Sequence, residues 1–326
     1  MALTFAERES VTNDYFMADK GKAMDIYFDE SYALNYFLKQ KKGLWERPDG
    51  GEKIRVRLDY DGQEAGFYSK GETLNSDDRE SVNSAYYNWK HAYANATVTN
   101  IDELKNAGVY AQVQLHTQRV SGAQKSLTKL IAGAFYDDAV GSSSKRFGGL
   151  RACCNETTTT AYGNIQEADL AAADGTTPWK GRTDATPESI SLAVIRDMRS
   201  NAKLSGGPGG KPDIFFTTEI LWNVIADLLQ IQQRFTKESG SVKAGFTGIW
   251  FEGCDIVADD YCPAAWAFAI NSMYYGAAIH TKGYYVRSKW KDLPGRAEDK
   301  TMKIYLHGNF MANNRKSHQA HSGLTV

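Results

Sequence analysis

Pro212-Asp213-Ile214-Phe215-Phe216-Thr217-Thr218 runs straight into an apolar stretch from Glu219 to Leu229. A short β-branched and aromatic run opened by Pro-Asp predicts a buried strand, and the longer apolar segment behind it predicts a helix. Downstream come Gly245-Phe246-Thr247-Gly248-Ile249-Trp250-Phe251-Glu252-Gly253-Cys254-Asp255-Ile256-Val257 and Ala267-Phe268-Ala269-Ile270-Asn271, further short strand signals bounded by Gly, Pro or Asp. None of these pieces carries a convergent set of reactive groups. The expected class is α+β, built from short buried strands and helices.

Outward from this stretch, residues 187–204 predict a helix, with Pro187 at its start, Glu188 in its first turn and Ile190, Val194 and Met198 as a stripe. Residues 301–312 alternate, with Met302, Ile304 and Leu306 set against Lys303, Tyr305 and His307, and predict a closing strand. The polar tail beyond Asn313 is expected to be mobile. Residues 101–138 predict a helix through Leu104, Val113, Val120, Leu127, Leu130, Ile131 and Phe135, with Gly108 and Gly122 as weak points. At a rise of 1.5 Å per residue it would be a strut of about 45–50 Å. Gly-rich and polar text at 141–145 and 157–186 predicts loops and a domain junction near residue 145.

Lys53-Ile54-Arg55-Val56-Arg57-Leu58-Asp59-Tyr60 alternates strictly, so it predicts a strand with an apolar face of Ile54, Val56, Leu58 and Tyr60. Asp61-Gly62 is a hairpin turn signal, and Ala65-Gly66-Phe67-Tyr68-Ser69 predicts the return strand, broken at Lys70-Gly71-Glu72. An isolated two-stranded ribbon is marginal in water. It either folds back on its own domain or lies on a neighbouring chain. Residues 84–100 predict another strand, with Tyr87, Trp89, His91 and Tyr93 on one face and Ala92, Ala94 and Ala96 on the other. Ahead of the ribbon, residues 25–40 have partly helical spacing behind a charged leading segment, which reads as an arm that docks elsewhere.

The chain has 326 residues, with 38 Lys and Arg against 39 Asp and Glu, so it lacks the basic excess needed to grip phosphates. If it meets DNA, it is expected to contain it. Its 18 Tyr and 7 Trp suit either half-buried contact surfaces or an aromatic core. No apolar stretch approaches the roughly 20 residues of a membrane span, and residues 1–20 have no hydrophobic block, so synthesis in a cytoplasm without a signal peptide is expected. Cys153, Cys154, Cys254 and Cys262 are expected as reduced thiols, because adjacent cysteines strain a disulfide and no CxxC is present.

Catalytic and ligand signatures fail in detail. Gly206-Gly207-Pro208-Gly209-Gly210-Lys211 has Ser205 where a phosphate loop needs glycine, and Pro212 where it needs Ser or Thr. Asp59-Tyr60-Asp61-Gly62 brings its glycine too early for a calcium loop. His318 and His321 lack further ligands nearby in sequence. The pairs Asp77-Asp78, Asp137-Asp138 and Asp259-Asp260 sit where acidic residues cap and turn. No catalytic, cofactor or metal residue is assigned. An enzyme assembled from scattered residues would need a pocket gathering buried carboxylates or His91 and His116.

Taken in order, these pieces resemble the major capsid protein of tailed bacteriophages with the Hong Kong 97-type fold, including a last strand ending Tyr305-Leu306-His307-Gly308-Asn309-Phe310. The resemblance rests on order and spacing across nearly the whole chain, and no invariant motif contributes. It implies an N-terminal arm (1–44), an extended loop (45–75), a peripheral domain (76–140) with a spine helix (101–138), and an axial domain (141–282). Closing strands (283–312) would return to the peripheral domain, followed by a C-terminal tail (313–326). The function implied is a non-catalytic subunit that self-assembles into an icosahedral shell around double-stranded DNA. The alternative is an encapsulin-like bacterial nanocompartment. The resemblance implies contacts between subunits through Ile54, Val56, Leu58, Tyr60, Asp61, Gly62, Phe67 and Tyr68. It also implies self-association into hexamers and pentamers, a separate scaffolding protein, a portal protein and possible decoration proteins, without a cofactor or a membrane. Assembly in a bacterial host cytoplasm and residence in the virion capsid complete the expectation. Some family members crosslink a loop lysine, a place Lys70 could occupy, but no partner is identified.

Overall fold

The computed structural model describes residues 31–41, 43–74, 79–105, 115–138, 144–156, 161–172, 176–202, 210–231, 248–293, 295 and 299–326. In chain order its first strands are β1 (Leu44–Glu46), β2 (Lys53–Asp59), β3 (Val82–Asn88), β4 (Lys90–Val98), β5 (Thr183–Asp184), β6 (Glu188–Ser189), β7 (Ile214–Thr217) and β8 (Gly248–Phe251). The rest are β9 (Cys254–Ala258), β10 (Ala267–Ile270), β11 (Tyr275–Ile279), β12 (Val286–Arg287), β13 (Lys291–Asp292), β14 (Lys300–Ala312), β15 (Gln319–His321) and β16 (Leu324–Thr325). The helices are α1 (Tyr32–Leu34, continued by a π-turn over Asn35–Lys39), α2 (Asn100–Lys105), α3 (Leu115–Phe135), α4 (Leu150–Cys154), α5 (Leu192–Asn201) and α6 (Glu219–Ile231). Among the described residues the chain forms two units, a smaller one from Ala92–Leu130 and Gly283–Leu306 and a larger one from Glu30–His91, Ile131–Lys282 and His307–Val326.

The larger unit is organised by a six-stranded sheet in the order β5-β15-β10-β7-β9-β8. The run Ile214-Phe215-Phe216-Thr217 is continuously buried because it is an interior strand covered on both faces. On one face Phe215, Ile256 and Ala269 stand in register, joined by Ile195 and Met198 of α5 and Leu221 and Ile225 of α6. On the other face Phe216 meets an aromatic cluster. Phe135 lies 6.0 Å from Phe216, 5.5 Å from Phe37 and 5.1 Å from Phe310 between ring centroids, mostly edge-on, as ring quadrupoles favour. Much of the aromatic content is therefore core.

This packing corrects the first expectation about the arm. Tyr32, Ala33, Leu34, Phe37 and Leu38 are buried in their own unit. Asp259 fixes the entry of α1, accepting from Ser31 Oγ at 2.8 Å and from the Ala33 N–H at 3.0 Å. An arm docked elsewhere cannot include these residues; residues 1–30 lie outside the described set.

The tail expectation is also corrected. Beyond Asn313 the chain forms a 3-10 turn (Arg315–Ser317) and inserts β15 between β10 and β5, while β16 pairs with β6. Its polar side chains are fixed by partners inside the fold. His321 Nε2 is 2.6 Å from Glu188 Oε1, and His318 Nδ1 accepts from the Asn271 N–H at 3.2 Å. Burial foremost, with Arg315 adding to it, pushes the His318 imidazole down to about 3. The folded ring holds its proton less tightly than the unfolded one, whose ordinary value is near 6.5. The stability it contributes is thus complete above that value and is lost as pH falls from there towards 3. Asp213 and Asp259, whose carboxyls burial pushes up, act in the opposite sense. We expect imidazole proton NMR of the chain to show His318 still neutral at pH 5. A His318 resonance half-titrated near pH 6 would contradict the buried, neutral ring.

Two helix expectations move. Residues 187–204 do not form one helix; Pro187 precedes β6, and α5 begins at Leu192 behind Ser191, whose Oγ accepts from the Val194 N–H at 3.3 Å. The hydroxyl cap outranks the proline because Glu188 and Ser189 are held by β16. The expected helix over 101–138 is helical at α2 and α3; residues 106–114 between them are outside the described set, and Tyr136 to Asp138 have left the helix.

β14, whose first part up to Leu306 lies in the smaller unit with β4 from Ala92 onward, pairs with β4, β12 and β13. Ala92, Ala94, Ala96 and Val98 are buried, whereas Tyr93 and Asn95 face out; Asn95 meets Thr301, and Lys303 Nζ sits 5.8 Å over the Tyr93 ring. The expected faces of residues 84–100 hold for the alanines but not for Tyr87, which is buried in the larger unit. The strand breaks at Trp89, and that one-residue interruption exchanges the faces.

Candidate self-association surface

The ribbon is built by β2 and β3, antiparallel from Lys53 opposite Asn88 to Asp59 opposite Val82. Beyond the strands the two chains stay close, with the Tyr60 N–H donating to Ser81 O at 2.8 Å and Gln63 Nε2 donating to Arg79 O at 3.2 Å. Arg79 and Glu64 add a half-exposed ion pair at 3.3 Å, worth at most about 1 kcal/mol.

Asp61-Gly62 is not the hairpin turn. The Asp61 side chain accepts from the Gly62 N–H at 2.8 Å, and Gly62 does not take up the positive φ that a two-residue hairpin turn needs there. Ala65 to Ser69 is not a strand; the return strand is β3. A reversal falls at Lys70-Gly71, where the Glu72 N–H donates to Ser69 O at 3.1 Å and Gly71 has φ of 87°. Glycine in the third place of a turn with positive φ is the type II pattern, and that Ser-Lys-Gly-Glu signal was available in the sequence.

The eight expected contact residues separate into three groups. Ile54 and Leu58 are buried within the chain, opposite Tyr87 and Asn83, and present little side-chain area outward. Val56, Tyr60 and Asp61 are half-buried. Gly62, Phe67 and Tyr68 lie in a run, 62–74, in which every residue is exposed. Phe67 is 107% exposed and Tyr68 70%, and Leu74 and Val82 add further bare apolar surface that the sequence pattern did not single out. At the base, Lys53, Arg55 and Arg57 face out; Arg55 Nε donates to Ser84 Oγ at 2.9 Å, and its guanidinium lies 6.0 Å from the Tyr86 ring.

Single exposed apolar residues are ordinary, but a bare aromatic pair at the far part of an extended ribbon leaves a large unburied area on one element. The arrangement can supply anchors to another surface. His91 packs on His307 in the larger unit, and His116 packs edge-on against Trp290 in the smaller. The four cysteines are free and buried. No helix among the described residues is long and apolar enough to cross a membrane. The Gly-rich loop at 206–211 falls mostly outside the described residues.

The architecture is that of the Hong Kong 97-type capsid fold. The chain is similar to one in the capsid asymmetric unit of cyanophage A-1(L), at 14% identity and a TM-score of 0.69 over 96% of this chain and 98% of that one. It is similar to a capsid chain of the native GTA particle, at 9% identity and a TM-score of 0.60, covering 99% and 100%. It is also similar to the SrpI encapsulin of Synechococcus elongatus PCC 7942, at 8% identity and a TM-score of 0.55, covering 99% and 96%. No protein-family model matches the chain, and no curated protein matches it.

Proposed function

We propose that the chain is a non-catalytic shell subunit, and more specifically the major capsid protein of a tailed double-stranded DNA bacteriophage. The observation that carries this is the likeness to the cyanophage capsid chain over 96% of this chain and 98% of that one. The bare ribbon end supports it, because Phe67 and Tyr68 have no packing role in their own subunit. In this proposal the extended loop takes in β2, the exposed run 62–74 and β3, and it reaches a neighbouring copy. The peripheral domain corresponds to the smaller unit and the axial domain to the helix-covered sheet of the larger.

Hexamers and pentamers, a separate scaffolding protein, a portal protein and decoration proteins belong to the same proposal. The near-balanced charge fits a wall that contains DNA without reading its sequence. Assembly would take place in the host cytoplasm and end in the virion. An encapsulin-like compartment is the second reading, favoured by the match to the SrpI encapsulin. Electron microscopy of the purified chain, expressed with and without its candidate scaffold, tests both. Closed icosahedral shells are expected, and their nucleic-acid content on genome packaging separates a capsid from an enzyme-loaded compartment. Monomers persisting across salt, crowding and scaffold conditions count against either.

A further inference from the structure

His91 on β4 and His307 on β14, both in the larger unit, have no part in the ribbon or in the buried core. Their Nδ1 atoms stand 2.8 Å apart and their rings meet edge to face, with 4.8 Å between centroids. One nitrogen donates to the other, so the pair carries a proton between two lone-pair directions. His280 continues the row. Its N–H donates to His307 O at 3.0 Å, and extending the β11–β14 register places it directly across from His307. Trp89 walls this row, 5.5 Å from the His280 ring. His91 is exposed and His307 half-buried, so solvent reaches the pair. Burial, with His91 and His280 beside it, holds the His307 imidazole below its ordinary range, which favours the neutral form that binds metals.

We propose that His91 and His307 form a two-imidazole clip for a divalent transition-metal ion of the nickel–copper–zinc group, with water completing the coordination. At metal–nitrogen distances of about 2.0–2.1 Å, two ligands at a right angle stand about 2.8–3.0 Å apart, and two tetrahedral ligands about 3.3–3.4 Å. The observed 2.8 Å suits the right angle of Ni²⁺ or Cu²⁺, whereas Zn²⁺ requires the rings to part by about half an ångström. Binding replaces the shared proton, and the rings turn about χ2, a soft torsion. Among the described residues no group of three or more His, Cys, Asp or Glu is placed to hold an ion. The clip is therefore a two-ligand site, with affinity that falls in acid as protons compete. It stands independently of any shell function.

Calorimetric titration of the tag-free, unassembled chain with Ni²⁺ in a non-coordinating buffer at pH 7.5 tests it. The expected result is one ion per chain and a thermal midpoint raised by several degrees. His91→Ala and His307→Ala should each weaken binding at least tenfold and abolish the midpoint shift, His116→Ala should leave both unchanged, and binding should disappear by pH 5.5. Absence of saturable binding, or binding that survives His91→Ala, overturns the proposal. Since His91 is exposed, its variant decides the matter even if the His307 variant fails to fold.

Discussion

Replacing Arg315 with leucine is expected to remove about 3–5 kcal/mol of folding stability, the scale for stripping one partner from a buried ion pair. Arg315 is only 1% exposed. Its Nε donates to Cys153 O at 2.8 Å, Nη1 to Trp179 O at 2.9 Å and Nη2 to Asn155 O at 2.6 Å. Glu167, equally buried, has Oε1 3.8 Å from Nη1 and accepts from the Gly181 N–H. The guanidinium also lies 5.2 Å from the centroid of Tyr162 and 6.0 Å from that of Trp179. Leucine would leave three carbonyls without this donor and one carboxylate without its counter-charge. Lysine would restore the charge but not the planar fork, so Arg315→Lys is expected to recover less than half of the loss. A Cβ on Gly181 would come within 2.6 Å of Nη2 and 2.3 Å of Asn155 O, so Gly181→Val should disturb the same node and add less than its own full cost to Arg315→Leu. Urea denaturation of the four variants measures this. An Arg315→Leu subunit within 1 kcal/mol of the parent would show that the node does not hold the C-terminal segment in place.

The Phe67→Ala, Tyr68→Ala double variant is expected to do the opposite, leaving the subunit folded and stopping shells from closing. Neither side chain packs inside the subunit, so the denaturation midpoint should stay within the roughly 0.5 kcal/mol typical of surface substitutions. At an interface each aromatic is worth about 2 kcal/mol or more if it fills a pocket. A shell repeats the contact once per subunit, so the loss should raise the subunit concentration needed for assembly by at least 100-fold. Light scattering against concentration, alongside circular dichroism, separates the two effects. Assembly at the parent threshold by a folded double variant would assign the shell contacts to another surface. Loss of folding would show that these residues are packed within the subunit.

Individual elements show how far the sequence could be followed. β7 and β10 were legible because interior strands covered on both faces are continuously buried, and β9, despite its half-buried Asp255, because short apolar runs bounded by Gly, Pro and Asp have few alternatives. β14 was legible from its alternation. The apolar face of β2 was also legible, but its destination was not: Ile54 and Leu58 serve their own subunit, while contact candidates lie beyond the strand. For the ribbon's reversal, two glycine signals competed, and only the backbone shows that Gly71 takes the positive φ.

The sequence by itself determined the α+β class, the order of the sheet-forming segments and the lack of a recognisable catalytic motif, because these follow from local periodicity and residue chemistry. Tertiary structure alone decided the fate of both ends of the described chain. Residues 31–38 read as an apolar segment with no assigned place and residues 315–324 as a polar tail, yet Asp259 caps the first and Glu167 and three backbone carbonyls hold the second. Those partners are distant in sequence, and a buried polar group becomes tolerable only when the fold brings its hydrogen-bond partners to it.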